Sequence, residues 1–162
     1  MTLVALISDT HLPRGRRRLS AECLELLGRA ELILHAGDVT AAPVLDELGA
    51  LAPLLAVRGN MDDRELQAAL PERRVCEIAG IRIGMIHDPG PRIGRTERLA
   101  AAFASCNVVM YGHTHVPELT HRDGTWVLNP GSPTERRSAP SRSMITLETT
   151  ATGIRPQLVL LP

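Results

Sequence analysis

The nine residues Leu3-Val4-Ala5-Leu6-Ile7-Ser8-Asp9-Thr10-His11 decide how the chain is read. A continuous apolar run of this length matches a strand buried on both faces. It stops abruptly at polar residues, with a carboxylate at Asp9 and an imidazole at His11. In extended backbone, positions i and i+2 share a face, so both groups are expected to point the same way. Open α/β sheets build sites at the carboxyl ends of their strands, and this pair of groups suits a divalent metal. Alone, Asp-Thr-His would serve as well for a polar turn. The rest of the chain has to decide.

The same ending recurs. Leu32-Ile33-Leu34 leads into His35-Ala36-Gly37-Asp38, and Leu54-Leu55-Ala56-Val57 leads into Arg58-Gly59-Asn60-Met61-Asp62. Helices are predicted between these runs. The first is capped by Ser20 and ends near Gly28. The second runs from Ala41 to Leu48 behind a Thr40 cap, with Pro43 tolerated in its first turn. The third covers Asp63 to Leu70 and is closed by Pro71. Strand and helix in alternation argue for a parallel sheet with crossover helices, and the three polar strand ends would line one edge of it.

After Pro71 the texture changes. Val75 to Ile78 and Ile81 to Ile86 flank Ala79-Gly80 as a hairpin, and the second strand runs into His87. A helix is predicted from Thr96 to Ala104. The strand Val108-Val109-Met110 follows, ending in Tyr111-Gly112-His113-Thr114-His115. Another hairpin is predicted around Asp123-Gly124, from Glu118 to His121 and Thr125 to Leu128. Asn129-Pro130-Gly131-Ser132-Pro133 is a rigid loop, and residues 133–142, rich in Ser, Arg and Pro, are the stretch expected to move most. Two strands, Ser143 to Glu148 and Ile154 to Leu160, close the chain. This half reads as largely antiparallel, and the whole as one domain of two sheets packed face to face with helices outside.

Composition narrows the chemistry. The 162 residues carry 18 basic and 18 acidic side chains, so no global charge draws the chain to nucleic acid or membrane. Every basic residue is arginine. Without lysine, a P-loop phosphate cradle, a pyridoxal Schiff base and a kinase-type nucleotide clamp are excluded. Cys23, Cys76 and Cys106 are odd in number and widely spaced, which indicates neither a disulfide framework nor a zinc ribbon. With no signal-like or membrane-spanning run, a soluble cytoplasmic protein is expected.

The polar strand ends together supply Asp9, His11, Asp38, Asn60, His87, His113 and His115. Seven oxygen and nitrogen donors can give two divalent ions four ligands each if one carboxylate is shared. Asp38 is the natural bridge. Without thiolates the set favours Mn, Fe, Ni or Zn.

Asp9-Thr10-His11, Gly37-Asp38, Gly59-Asn60-Met61-Asp62, His87, Gly112-His113-Thr114-His115 and Asn129-Pro130-Gly131-Ser132, in this order, resemble the calcineurin-like metallophosphoesterases. The closer resemblance is to their small bacterial and archaeal phosphodiesterase branch. It implies a four-layer α/β sandwich of two mixed sheets flanked by helices, and a dinuclear centre, with manganese the first choice of metal. One ion would take Asp9, His11, Asp38 and His115; the other Asp38, Asn60, His87 and His113. A hydroxide bridging the two ions would attack phosphorus in line, with Asn60 and His113 assisting beyond their metal role. The implied substrate is a phosphodiester small molecule or nucleotide. Nucleic acid is left open, and a homo-oligomer is plausible within the family.

Two departures stand out. Many phosphatases of the family follow the motif's Asn with a His that serves the leaving group; here Met61 stands there, and a thioether can neither give nor take a proton. His87, usually followed by Gly, precedes Asp88-Pro89-Gly90. Among other residues, His35 is expected to support the site or pack rather than ligate. His121 is read as structural or exposed, and Arg95 and Arg98 as surface residues. Asp62 is either an orienter of the site or a helix cap. The Arg14, Arg16, Arg17, Arg18 loop either is solvated or meets phosphate. The competing function is a non-catalytic scaffold, as the resemblance to the family's eukaryotic retromer subunit allows. A β-lactamase-like hydrolase is disfavoured because its His-x-His-x-Asp-His run is absent.

Overall fold

The computed structural model describes residues 1–150 and 153–162. Its elements run β1 (Thr2–Ile7), α1 (Ala21–Arg29), β2 (Leu32–His35), α2 (Ala42–Gly49), β3 (Leu54–Ala56) and α3 (Arg64–Ala69). A second series follows: β4 (Arg73–Ile78), β5 (Ile81–Ile86), α4 (Arg95–Ala102), β6 (Val108–Met110), β7 (Glu118–Arg122), β8 (Thr125–Asn129), β9 (Arg142–Thr150) and β10 (Gly153–Leu161). They form two five-stranded sheets, ordered β10-β9-β1-β2-β3 and β4-β5-β6-β8-β7.

Alternation along β1 sets the layers. Val4 and Leu6 face the second sheet and join Leu34, Ile83, Met85, Val108 and Met110 in the central core. Ala5 and Ile7 face the other way, into a core closed by Cys23 and Leu27 of α1, Val44 and Leu48 of α2, and Leu66 of α3. On the far side of the second sheet, Leu99 of α4 and Phe103 pack over Val109, Tyr111 and Val127. The result is helix, sheet, sheet, helix. With both faces covered, β1 has to be apolar throughout, which is why it reads as an unbroken run.

Both sheets are mixed. In the first, β1, β2 and β3 are parallel, while β9 pairs antiparallel with β1 and carries β10 at the edge. Pro156 sits in β10, where an edge strand tolerates a missing N–H donor. The second sheet is less antiparallel than its sequence suggests. The hairpins β4–β5 and β7–β8 are antiparallel, but β6 lies between β5 and β8 and runs parallel to both. The connection through α4 and the stretch from Tyr111 to β8 act as crossovers, so Val108-Val109-Met110 takes a central, doubly buried place.

Capping follows the sequence in part. Ser20 caps α1 by accepting from the Cys23 N–H at 3.2 Å. Asp63, not Asp62, caps α3, accepting from Leu66 N at 2.9 Å. Thr40 does not cap α2, whose N-cap is Ala41 without a side-chain bond. Its hydroxyl turns back to the Leu12 carbonyl at 2.5 Å, because that carbonyl lies in the loop alongside. No helix among the described residues is long and apolar enough to cross a membrane.

Candidate metal centre

All seven polar strand-end residues occupy loops at one end of the two-sheet stack. Asp9 and His11 follow β1, Asp38 follows β2 and Asn60 follows β3; His87 follows β5, while His113 and His115 follow β6. Two groups of donors come within 4.8 Å of one another: Asp9 with His11 and His115, and Asp9 with Asp38 and His87. His115 Nε2 lies 3.3 Å from Asp9 Oδ1 and 3.3 Å from His11 Nε2. Asp38 Oδ2 lies between two imidazoles, 3.6 Å from His11 Nε2 and 3.4 Å from His87 Nε2. Asn60 Oδ1 is 3.0 Å from His87 Nε2 and 3.0 Å from His113 Nδ1.

The convergence does not come from the pleat. Asp9 (φ 55°), His11 (φ 47°), Asp38 (φ 59°), His113 (φ 68°) and His115 (φ 59°) all adopt left-handed backbone. Each loop turns tightly just past its strand and throws successive side chains inward. Asp and His are among the non-glycine residues that tolerate this region best. The expectation of paired positions two apart therefore survives, but its extended-backbone reason is corrected.

Backbone bonds hold the loops to one another. Asp9 N donates to the Gly37 carbonyl at 3.0 Å and His11 N to the Asp38 carbonyl at 3.0 Å, so the β1–β2 ladder is prolonged into the loops. Main-chain groups also bond across from one sheet to the other. His113 N donates to Asp9 Oδ2 at 3.0 Å, and His87 Nδ1 donates to the Ala36 carbonyl at 2.7 Å. From below, Ser132 Oγ donates to the Asp9 carbonyl at 2.8 Å and Thr134 Oγ1 to the Thr10 carbonyl at 2.7 Å. The start of the segment read as mobile is thus tied beneath the site, with Pro133 and Thr134 buried.

The donor chemistry fits a cation. Because Ala36 O accepts from His87 Nδ1, a neutral His87 turns its Nε2 lone pair toward Asp38 Oδ2 and Asn60 Oδ1, both acceptors. Three acceptors facing one another need a positive charge between them, supplied by a proton on Nε2 or by a bound cation. Likewise His115 Nε2 and His11 Nε2 meet beside buried Asp9, and the buried His115 Nδ1 has no hydrogen-bond partner among the described residues. Burial opposes charge on Asp9, but the His115 hydrogen bond and the charge of His87 hold its carboxyl below the usual range. Asp38 is likewise desolvated and likewise held low, chiefly by His87. For His87 burial is outweighed by Asp38 and Asp9, and its imidazole moves up; burial keeps His11 down. Two carboxylates kept ionised in a buried ring of imidazoles could hold a divalent metal ion.

His35 stays out of the donor ring. Gly37 N donates to its Nδ1 at 3.1 Å, which places the ring proton on Nε2, directed to Thr10 Oγ1 at 3.0 Å. Complete burial pushes its pKa down to about 4, so it is a neutral brace between two ligand loops. His35→Ala is expected to weaken Mn²⁺ binding about 10- to 100-fold, as loss of such braces does elsewhere. Calorimetric titration checks this, and an unchanged affinity would refute the bracing role.

Asp62 is an orienter rather than a cap. Its carboxylate accepts from Thr40 N at 2.7 Å and Gly59 N at 2.6 Å, joining the Asp38 and Asn60 loops. His121 is exposed and lies against the Trp126 ring. Arg95 is not a simple surface residue: it is half-buried, its guanidinium over the Tyr111 ring. Arg98 is exposed, yet it fixes the loop after His87 by donating to the carbonyls of Pro89 (2.9 Å), Pro91 (2.6 Å) and Ile93 (3.2 Å). Sequence reasoning missed that role because the bonds go to backbone, which leaves no side-chain pattern to read.

Residues 1–152 match the family model of the calcineurin-like phosphoesterase superfamily domain, and the chain belongs to that family. A probable metallophosphoesterase of Methanothermobacter thermautotrophicus is 39% identical over 137 residues, 83% of this chain and 79% of the relative. One from Methanocaldococcus jannaschii is 38% identical over 148 residues, 90% of this chain and 74% of the relative. Among solved structures, a single mutant of Vps29 from Entamoeba histolytica superposes with a TM-score of 0.77 at 26% identity, covering 99% of this chain and 100% of that one. The four-layer arrangement of two mixed sheets flanked by helices is the fold of this family.

Proposed function

We propose that the protein is a metal-dependent phosphodiesterase whose centre takes two divalent ions, with manganese the first choice among Mn, Fe, Ni and Zn. The observation that carries this reading is the placement of Asp38 Oδ2 between His11 and His87, where one carboxylate can serve both ions. Asp9, His11, Asp38 and His115 would hold one ion, and Asp38, Asn60, His87 and His113 the other. Bound there, the pair would lower the pKa of a shared water toward about 7 and neutralise charge on the phosphoryl oxygens.

The chain's own groups do the rest. His113 is exposed and held by Asn60 through Nδ1, so its ring faces the opening where an ester would lie. Asn60, also exposed, fixes that ring and His87 together. In the hydrolysis, oxygen from water bonds to phosphorus while one P–O ester bond breaks. The electron pair leaves with the ester oxygen, which takes up a proton to become an alcohol. The other product is a monoester.

Met61 supports a diesterase over a monoesterase. It is 37% exposed at the rim, and its backbone N–H, not its side chain, serves the site by donating to Asp38 Oδ1 at 2.7 Å. With no acid here to assist the leaving group, a chromogenic diester is expected to be hydrolysed about 100-fold or more faster than the matching monoester, the lower end of what one positioned acid contributes. Met61→His should narrow the gap. Purified protein with Mn²⁺ assayed on both esters tests the function. A faster monoester reaction would overturn the preference. Bound metal without turnover on either would favour a binding scaffold, a reading supported by the likeness to Vps29. The three free cysteines suit a reducing compartment such as the cytoplasm.

A further inference from the structure

The overall charge is balanced, but its distribution is not. Immediately past the ligand His11, the chain turns through a loop in which Arg14 N donates to the His11 carbonyl at 3.0 Å. Arg14, Arg16 and Arg18 of this loop are exposed. Beside it runs the segment that begins at Thr134, itself bonded to Thr10, and carries the exposed Arg136 and Arg137. Glu135 joins the two, pairing with Arg17 at 3.1 Å and Arg137 at 3.9 Å. Farther out, Arg16, Arg17, Arg18 and Arg142 line a cleft of about 460 Å³ with Ser20 and Pro162.

Seven of the chain's 18 basic residues therefore form one tract, leading from the candidate metal centre outward. Its acidic company is Glu135 and, in the adjoining cleft, Glu47. Among the described residues, Arg14, Arg16, Arg18, Arg136 and Arg142 form no ion pair with a carboxylate. These five guanidinium groups, of which Arg136 and Arg142 donate only to the carbonyls of Pro140 and Pro162, are spread over an open surface and do not converge on one small anion. They match a row of phosphates.

We infer that the tract binds the sugar-phosphate backbone of single-stranded nucleic acid and feeds one phosphodiester of it to the metal centre. The inference rests on the phosphodiesterase reading and names its substrate class. Phe103, Tyr111 and Trp126 are the only aromatic residues, and all three belong to the second sheet and the α4 layer. The tract has nothing to stack bases on, so it reads phosphate without regard to sequence.

The test is a labelled 12-nucleotide thymidylate strand with the full-length protein in Mn²⁺. Contacts to about four phosphates give a log–log salt slope near −3 for kcat/KM, roughly a 50- to 100-fold loss between 50 and 200 mM salt. A small chromogenic diester should lose less than about threefold, since it carries one charge. R16E/R18E should lower the ratio of kcat/KM for strand over small diester at least 30-fold, while Arg29→Gln, on exposed α1, leaves the ratio unchanged. Equal salt dependence for both substrates, or an unmoved ratio in R16E/R18E, would overturn the inference. Fluorescence anisotropy of the same strand needs no turnover: failure to bind refutes the tract even if small diesters are cleaved. Binding without cleavage of any ester leaves the tract standing and removes the diesterase. Inorganic polyphosphate of equal charge that outcompetes the strand reassigns the tract to that polymer and overturns the nucleic-acid reading.

Discussion

Asp38→Ala is expected to abolish metal-dependent phosphodiester hydrolysis, with kcat/KM falling by about 10³-fold or more. The size follows from what the carboxylate does at once. Its Oδ2 sits within 3.6 Å of His11 and 3.4 Å of His87, and its Oδ1 accepts from Met61 N at 2.7 Å. Losing it would take a ligand from both proposed ions and a negative charge from a buried ring of imidazoles. Transition-state charge stabilised by such a centre accounts for several kcal/mol, and each 1.36 kcal/mol is tenfold in rate. Asp38→Asn separates charge from shape, since an amide oxygen still accepts from Met61 while the anion is gone. Its metal content by mass spectrometry should also fall. If Asp38→Asn keeps its metal and turns over within tenfold of the parent, the shared-carboxylate centre is wrong.

A second large effect is expected where no functional group is touched. A Cβ on Gly59 would overlap Asp38 N and Asp38 Oδ1, both on the neighbouring ligand loop. Main chain cannot swing aside, so the two loops must separate, and the bond from Gly59 N to Asp62 at 2.6 Å goes with them. Gly59→Ala should cost about 3 kcal/mol, roughly 6 to 12 °C in Tm at this chain length. It should also lose metal affinity in parallel. Gly28→Ala is the contrast: in α1 nothing lies within 4 Å of an added Cβ, and a helix gains about 0.5–1 kcal/mol from the change. A Gly59→Ala protein that melts within 2 °C of the parent would show that the loops have slack, contrary to the packing.

Much of this was legible in the sequence, for a physical reason. A strand covered on both faces has to be apolar, so Leu3 to Ile7, Leu32 to Leu34 and Val108 to Met110 announced themselves. Polar donors directly after such strands are conspicuous. What the pattern could not carry was pairing over long range. Nothing local in Ser143 to Glu148 says that it lies against β1, more than a hundred residues earlier, or that β6 slots between β5 and β8 in parallel. Loop conformation was equally hidden. The pleat argument paired Asp9 with His11 and His113 with His115 through the wrong backbone, because a left-handed turn at Asp or His leaves no mark in composition. Thr40 looked like a cap for the same reason: its hydroxyl had a better partner in a loop that sequence does not place nearby.

Four of the seven donors hang from the first sheet and three from the second. The spacing between them is thus governed by how the sheets slide on the aliphatic layer of Val4, Leu6, Met85 and Met110. A change of side-chain volume deep in that layer would act on the ring of donors like a vernier, moving one jaw against the other without altering either.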